Sequence, residues 1–264
     1  MRILLPVDGS DHSRHAIRFV ADRVEHATVE LLNVQHKVPE AIIDLLGLES
    51  VRNAYQEEGQ KVFDSLKDVT EALDAKGVVL GGELGPTIVQ EADRMDADLI
   101  VMGSHGRSAV SGLFLGSVSA QVLSRTKRPL LLIRDTVPTG PLRVGLCVDK
   151  SDYARAAGEL LVNNQEFFGE GTTFEVLNVA DTEEAWHEAA EPVLTLFAEA
   201  GIPCGETHLK GHVGDAICEY ATEHLDLLVI GSHGYGNFRS AFLGSTAMRI
   251  VAGSGVPVLI SKAH

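Results

Sequence analysis

Gly103-Ser104-His105-Gly106, with Gly116-Ser117 after nine intervening residues, decides how this chain reads, because it occurs again as Gly231-Ser232-His233-Gly234 with Gly244-Ser245 at the same spacing. An apolar run precedes each copy, Leu99-Ile100-Val101-Met102 and Leu227-Leu228-Val229-Ile230, and a helix-forming segment follows each. A buried strand entering a glycine-rich loop and then a helix start is a place to hold an anion. Glycine lets the backbone bend and approach closely, and the first amides of a helix point outward with no acceptor of their own. The spacing therefore predicts two nucleotide-binding lobes.

Working outward, the flanking segments repeat as well. Ile3-Leu4-Leu5-Pro6-Val7-Asp8 returns as Arg143-Val144-Gly145-Leu146-Cys147-Val148-Asp149, and Leu32-Asn33-Val34 as Leu177-Asn178-Val179. Gly85-Pro86-Thr87-Ile88 returns as Gly214-Asp215-Ala216-Ile217, and Pro129 to Ile133 as Pro257 to Ile260. A domain-sized period marks a duplication rather than a solenoid. The halves are expected at 1–136 and 141–264, with Asp135 to Gly140 as linker. In each half, short apolar runs alternate with helical stretches, which predicts an α/β fold: a five-stranded parallel sheet with helices on both faces. A first helix opening at Ser10 or Asp11 is expected to reach about Val24. A long polar helix is expected to run through Ala75 and to be closed by Gly77.

One region breaks the repeat. Val34 to Gly103 spans 69 residues where Val179 to Gly231 spans 52, a surplus of 17. It is expected around Val38 to Ala54, as a surface loop or helical lid whose Ile42, Ile43, Leu45, Leu46 and Leu48 pack against the lobe.

The bulk numbers bound the function. With 264 residues and 45% hydrophobic content the chain can bury a real core. A formal net charge of −15 argues against nucleic acid or an anionic membrane as partner. No run reaches the ~18–20 apolar residues of a membrane span, and the start is quickly acidic, so a soluble cytoplasmic protein is expected. Cys147, Cys204 and Cys218 form no C-x-x-C pair and read as buried thiols in a reducing compartment.

Where a doubly wound sheet reverses its winding, a crevice opens at the carboxyl ends of the strands. Asp8, at the end of the first strand, and Gly103, at the end of the fourth, would share that crevice if the strands are neighbours. Asp8 offers a carboxylate for ribose hydroxyls, although a strand-end Asp is also a common turn or cap residue. Ser117 and Ser119 add hydroxyls. His105 and His233 read as loop residues, with no H-x-x-H spacing to suggest a metal. Arg107 reads as solvated, since Tyr235 takes its place in the second half. A P-loop lysine and a G-x-G-x-x-G motif are both absent.

With these residues in place, the sequence resembles the universal stress protein family in its tandem form, over nearly the whole chain. Both lobes match the G-x2-G-x9-G-[S/T] pattern of ATP-binding members. The resemblance implies tandem flavodoxin-like, adenine nucleotide alpha hydrolase-like domains related by a pseudo-twofold axis, and ATP, with Mg as accompanying ion. In the first lobe it implies contacts from Asp8, Val34, Met102, Gly103, Gly106, Gly116, Ser117, Val118 and Ser119. In the second, the matching positions are Asp149, Val179, Ile230, Gly231, Gly234, Gly244, Ser245 and Thr246. The valines would meet the adenine edge through their backbone. The second lobe departs at Cys147 for Pro6, Lys150 for Gly9 and Ala247 for Ser119, and the last removes a hydroxyl from the expected phosphate end.

Single-lobe members pair through their last strands, so Leu130 to Ile133 and Val258 to Ile260 are expected to pair inside this chain as an intramolecular pseudo-dimer, with a further homodimer and an unknown protein partner left open. The function expected is an ATP-binding regulator of the stress response. A protein-interaction scaffold without nucleotide, or a slow ATPase or autophosphorylating protein using Ser117, are the alternatives.

Overall fold

The structure, a computed structural model, describes residues 1–23, 27–35, 44–45, 47, 49–104, 115–234 and 243–262. The first half supplies strands β1 (Arg2–Pro6), β2 (Thr28–Gln35), β3 (Ala75–Gly81), β4 (Leu99–Gly103) and β5 (Leu130–Ile133). The second supplies β6 (Arg143–Cys147), β7 (Thr173–Val179), β8 (Cys204–Leu209), β9 (Leu227–Gly231) and β10 (Val258–Ser261). All ten lie in one sheet, in the order β3-β2-β1-β4-β5-β10-β9-β6-β7-β8. Pairing is parallel within each half. At the seam β10 meets β5 antiparallel, Val258 opposite Leu132, Leu259 opposite Leu131 and Ile260 opposite Leu130. The two expected five-stranded sheets are thus halves of one, because each last strand offers the other an unpaired edge.

Helices cover both faces. The first half carries α1 (Asp11–Ala21), α2 (Glu49–Ser65), α3 (Lys67–Thr70), α4 (Leu84–Arg94) and α5 (Ser117–Arg125). The second carries α6 (Asp152–Asn163), α7 (Gln165–Phe168), α8 (Glu183–Glu199), α9 (Val213–His224) and α10 (Ser245–Gly253). The period-two geometry of strands sorts their side chains between two cores. Ile3, Leu5 and Val101 join Ile17 and Val20 of α1, in a cluster continuing through Val176 and Phe197. Leu4, Ile100 and Met102 join Ile88 of α4 and Val122 of α5, in a cluster continuing through Leu228 and Ile250. Both cores cross the seam.

The 135–140 segment is held rather than loose. Arg23 stacks over the Phe19 ring at 4.0 Å and donates to the Pro138 carbonyl at 2.8 Å, while Phe19 meets Phe167 of the other half with ring centroids 6.3 Å apart.

Four expectations need correction. The first helix ends at Ala21, short of Val24, which lies outside the described residues. The long polar helix stops at Ser65, a second short one ends at Thr70, and Gly77 is a strand residue paired with Leu31. Its lack of a side chain makes room for Phe63, whose ring would lie 2.9 Å from a Cβ there. The surplus does not fall in one place. Val34 to Glu49 is 15 residues against 4 from Val179 to Glu183, and Ser65 to Ala75 is 10 against 5 from Glu199 to Cys204. The second excess holds α3, whose Val69 plugs the core beside α1. Finally, Leu45 is 81% exposed rather than packed, and Ile42, Ile43, Leu46 and Leu48 lie outside the described residues.

Candidate functional site

Winding reverses between β1 and β4 in the first lobe and between β6 and β9 in the second, where the strands are hydrogen-bonded neighbours. Asp8 and Gly103, and likewise Asp149 and Gly231, therefore flank one crevice in each lobe.

The carboxylate turns are built alike. Asp8 Oδ1 accepts from the Ser10 amide at 3.0 Å and from the Ser13 hydroxyl at 2.8 Å, and Ser10 in turn caps α1. Asp149 Oδ1 accepts from the Ser151 amide at 3.0 Å and from the Ser151 hydroxyl, and Ser151 caps α6. The turn reading of these aspartates is thus real, and it also fixes the carboxylates at the strand ends. A residue missed by sequence reasoning fixes the turns from the other side. Asn33 Nδ2 donates to the Val7 carbonyl at 2.8 Å, and Asn178 Nδ2 to the Val148 carbonyl at 2.7 Å. The Leu-Asn-Val triplet repeats in both halves, but its spacing does not show that the asparagine amide bonds a carbonyl beside it in the fold.

The loop is closed by backbone in both lobes: the Gly116 amide donates to the Ser104 carbonyl at 2.8 Å, and the Gly244 amide to Ser232 at 3.1 Å. Those two amides are engaged. The first helical bonds run from Ala120 to the Gly116 carbonyl and from Met248 to the Gly244 carbonyl. Hence the amides of Ser117, Val118 and Ser119, and of Ser245, Thr246 and Ala247, have no acceptor within their helices. Glycine at the N-cap brings no side chain to satisfy them, whereas Ser10, Ser151 and Thr182 cap their own helices.

Each glycine has its own reason. A Cβ at Gly103 would come within 2.5 Å of His12 Cβ, and one at Gly231 within 2.9 Å of the Tyr153 carbonyl carbon. Both exist so that α1 or α6 can start close against the strand. A Cβ at Gly234 would lie 2.8 Å from Asp149 Oδ2, so this loop residue sits over the carboxylate. At Gly244 nothing lies nearer than 3.6 Å, so a methyl there would meet only ordinary van der Waals contacts with His233, Gly234 and Ser232. Gly106, with His105 and Arg107, lies outside the described residues, as does Tyr235.

In the second lobe these parts enclose a cavity of about 550 Å³. Its lining includes every position expected there: Asp149, Val179, Ile230, Gly231, Gly234, Gly244, Ser245 and Thr246. Cys147, Val213, Ile217, Leu243 and Ile250 complete an apolar wall that the spacing did not announce. His233 also lines it, with Nδ1 3.2 Å from the Ser232 hydroxyl and its ring 5.0 Å from that of Tyr153. Burial pushes the Cys147 thiol well up, so it is a neutral wall residue and not a nucleophile. No lysine or arginine is among the described lining residues. Among the described residues no group of three or more His, Cys, Asp or Glu could hold a metal by itself.

In the first lobe Val34, the last residue but one of β2, pairs with Leu80 of β3, and Met102 is buried in β4. Ser119, 2% exposed, donates its hydroxyl to the Gly103 carbonyl at 3.0 Å. It ties helix to strand, so Ala247 in the second lobe loses a tie rather than an outward-facing hydroxyl. Asn178 Oδ1 is buried with no hydrogen-bond partner among the described residues, where Asn33 Oδ1 accepts from Gln35 Nε2 at 2.6 Å.

Comparisons with known proteins agree with this arrangement. The model of the universal stress protein family matches residues 1–134 and again 142–262. A universal stress protein of Thermus aquaticus is 35% identical over 135 residues, covering 50% of this chain and 97% of its own. One of Mycobacterium tuberculosis is 24% identical over 306 residues, covering 98% of this chain and 94% of its own. The crystal structure of a universal stress protein from Archaeoglobus fulgidus superposes with a TM-score of 0.75 at 23% identity, over 99% of this chain and 98% of that one, which is a likeness of fold. No helix among the described residues is long and apolar enough to cross a membrane. The chain belongs to the universal stress protein family, as a tandem of two such domains fused through their last strands.

Proposed function

We propose that this protein binds adenine nucleotide, ATP with magnesium, in the crevice of each lobe, and acts through that binding as a regulator of the stress response. The observation that carries the reading is the second-lobe cavity, whose lining takes in all eight positions that the resemblance implies there. Its volume falls in the range of small-molecule sites, and its lining combines apolar residues with a few polar groups, as a base and a phosphate chain require. Uncapped amides at the start of α10 suit the phosphates, and the Asp149 carboxylate suits ribose hydroxyls. Magnesium would enter with the phosphates and offset their charge in a strongly acidic protein. Family membership supports the regulatory role.

The test is direct. Protein purified under native conditions is denatured and the released small molecules are identified by chromatography and counted per chain. Adenine nucleotide, with a rise in melting temperature on adding Mg-ATP, is expected. Its absence together with no melting shift removes the reading.

A further inference from the structure

Arg134 follows β5 and Lys262 follows β10, and they stand 128 residues apart, the offset of the two glycine loops. Each reaches across the seam. Arg134 Nη2 donates to the Val251 carbonyl in the last turn of α10. Lys262 Nζ donates to the Leu123 carbonyl in the last turn of α5, at 2.8 Å. Leu123 and Val251 are also 128 apart. The closing strand of each lobe thus sends a cation to the C-terminal turn of the other lobe's helix.

These carbonyls need a donor. Thr126 and Ser254 leave the helical conformation, with ψ 143 and 132, and their amides close on Val122 and Ile250. The carbonyls of Leu123 and Val251 are left over, and a cation is the partner that also suits the negative end of a helix. Arg134 is only 8% exposed. Lys262 is half-buried, and withdrawing a cation from water is costly, yet it happens at both related positions with two different side chains. The common feature is the charge and its placement, not the shape.

The opposite ends of these same nine-residue helices are the uncapped starts at Gly116-Ser117 and Gly244-Ser245. We propose that Arg134 is a positioning residue for the nucleotide site of the second lobe, and Lys262 for that of the first. By fixing the far end of the helix that receives the phosphates, each makes one lobe's affinity depend on a residue of the other. This rests on the nucleotide reading given above.

Backgrounds with one site blocked separate the lobes. Gly116→Val leaves the second site and Gly244→Val leaves the first, each titrated with Mg-ATP by calorimetry. Arg134→Met is expected to weaken binding about three- to tenfold in the Gly116→Val background and to leave it unchanged in the Gly244→Val background. Lys262→Met should give the reverse pattern. Arg134→Lys should restore binding, since lysine does this work at the related position. Equal losses in both backgrounds, loss in a residue's own lobe, or no rescue by lysine would overturn the proposal. Amide hydrogen exchange supplies a ligand-free reading: Arg134→Met should speed exchange in residues 245–253 and spare 117–125, and the opposite result would also overturn it. If neither blocked background binds Mg-ATP before the second change, it is the nucleotide reading that fails, and the exchange pattern still decides whether the cross-lobe clamp exists.

Discussion

The two lobes hold the same backbone in place with different side chains. At the loop, both close a glycine amide onto a serine carbonyl and both start a helix without a cap. Behind the loop they diverge: Ser119 ties α5 to β4 where Ala247 is 8% exposed in an apolar core, and Gln35 satisfies Asn33 where the Asn178 oxygen has no partner among the described residues. On the outer side of the sheet, Glu30 lies beside Glu91 and Arg94, while its counterpart Glu175 accepts from the hydroxyls of Tyr220 at 2.9 Å and Thr207 at 2.7 Å. Duplication has retained the amides that would face a ligand and let the supporting contacts drift. Backbone geometry can be supported in several ways, whereas an anion site made of amides tolerates few.

Breaking this comparison begins at the helix start. Gly244→Val should abolish the stabilisation that Mg-ATP gives through the second lobe, roughly 2.7 kcal/mol at a ligand concentration about 100 times the dissociation constant, read as a lost melting shift. Unchanged stabilisation would mean the phosphates lie elsewhere.

The strand-end glycines come next. Gly103→Ala and Gly231→Ala should each destabilise by about 1–3 kcal/mol in urea, because the new methyl meets the backbone of α1 or α6. Gly244→Ala, whose methyl would meet nothing nearer than 3.6 Å, should cost about 1 kcal/mol or less. Equal costs would contradict the division between packing glycines and site glycines.

The carboxylate pair of Glu30 and Glu91 should give the first lobe a pH response. Burial and the neighbouring Glu91 carboxylate push Glu30 up to about 7, while Arg94 holds Glu91 low. A raised carboxyl contributes stability that is full in acid and is lost as pH rises from its unfolded value through about 7. Stability should therefore fall between about pH 5 and 7.5, and Glu30→Gln should flatten that fall by about 1–2 kcal/mol, the opposite movement of Glu91 offsetting part of it. Denaturation midpoints across this range would show it, and an unaltered slope in the variant would exclude Glu30 as the source.

The smallest effect separates tie from ligand contact. Ser119→Ala should cost about 1 kcal/mol of stability and leave Mg-ATP affinity within about twofold, because its hydroxyl serves the Gly103 carbonyl. A large loss of affinity would return that hydroxyl to the phosphate end.

Much of the fold was legible because its signals are local and occur twice. Apolar runs four to six residues long mark buried parallel strands, and a domain-sized offset marks the duplication before any contact is known. The loop motif likewise names its own residues, since a glycine–serine pair at a helix start is a local requirement. Asn33 and Asn178 escaped because a buried amide bonding a carbonyl on the neighbouring strand leaves no mark in spacing. Gly77 was misread for the same reason: a glycine that ends a helix and one that makes room for Phe63 are identical until the strand is paired.

By itself, the sequence determined two α/β repeats, the order of their elements and the loops where an anion would sit. The pairing of the last strands was expected from the resemblance; only the tertiary structure decided its antiparallel register, that Gly103 and Gly231 serve packing while a methyl at Gly244 would meet no close contact, and that Arg134 and Lys262 cross between lobes. The first set depends on periodicity and turn chemistry within a few residues. The second depends on which surfaces meet, and pairing an edge strand or burying a cation is settled by partners more than a hundred residues away.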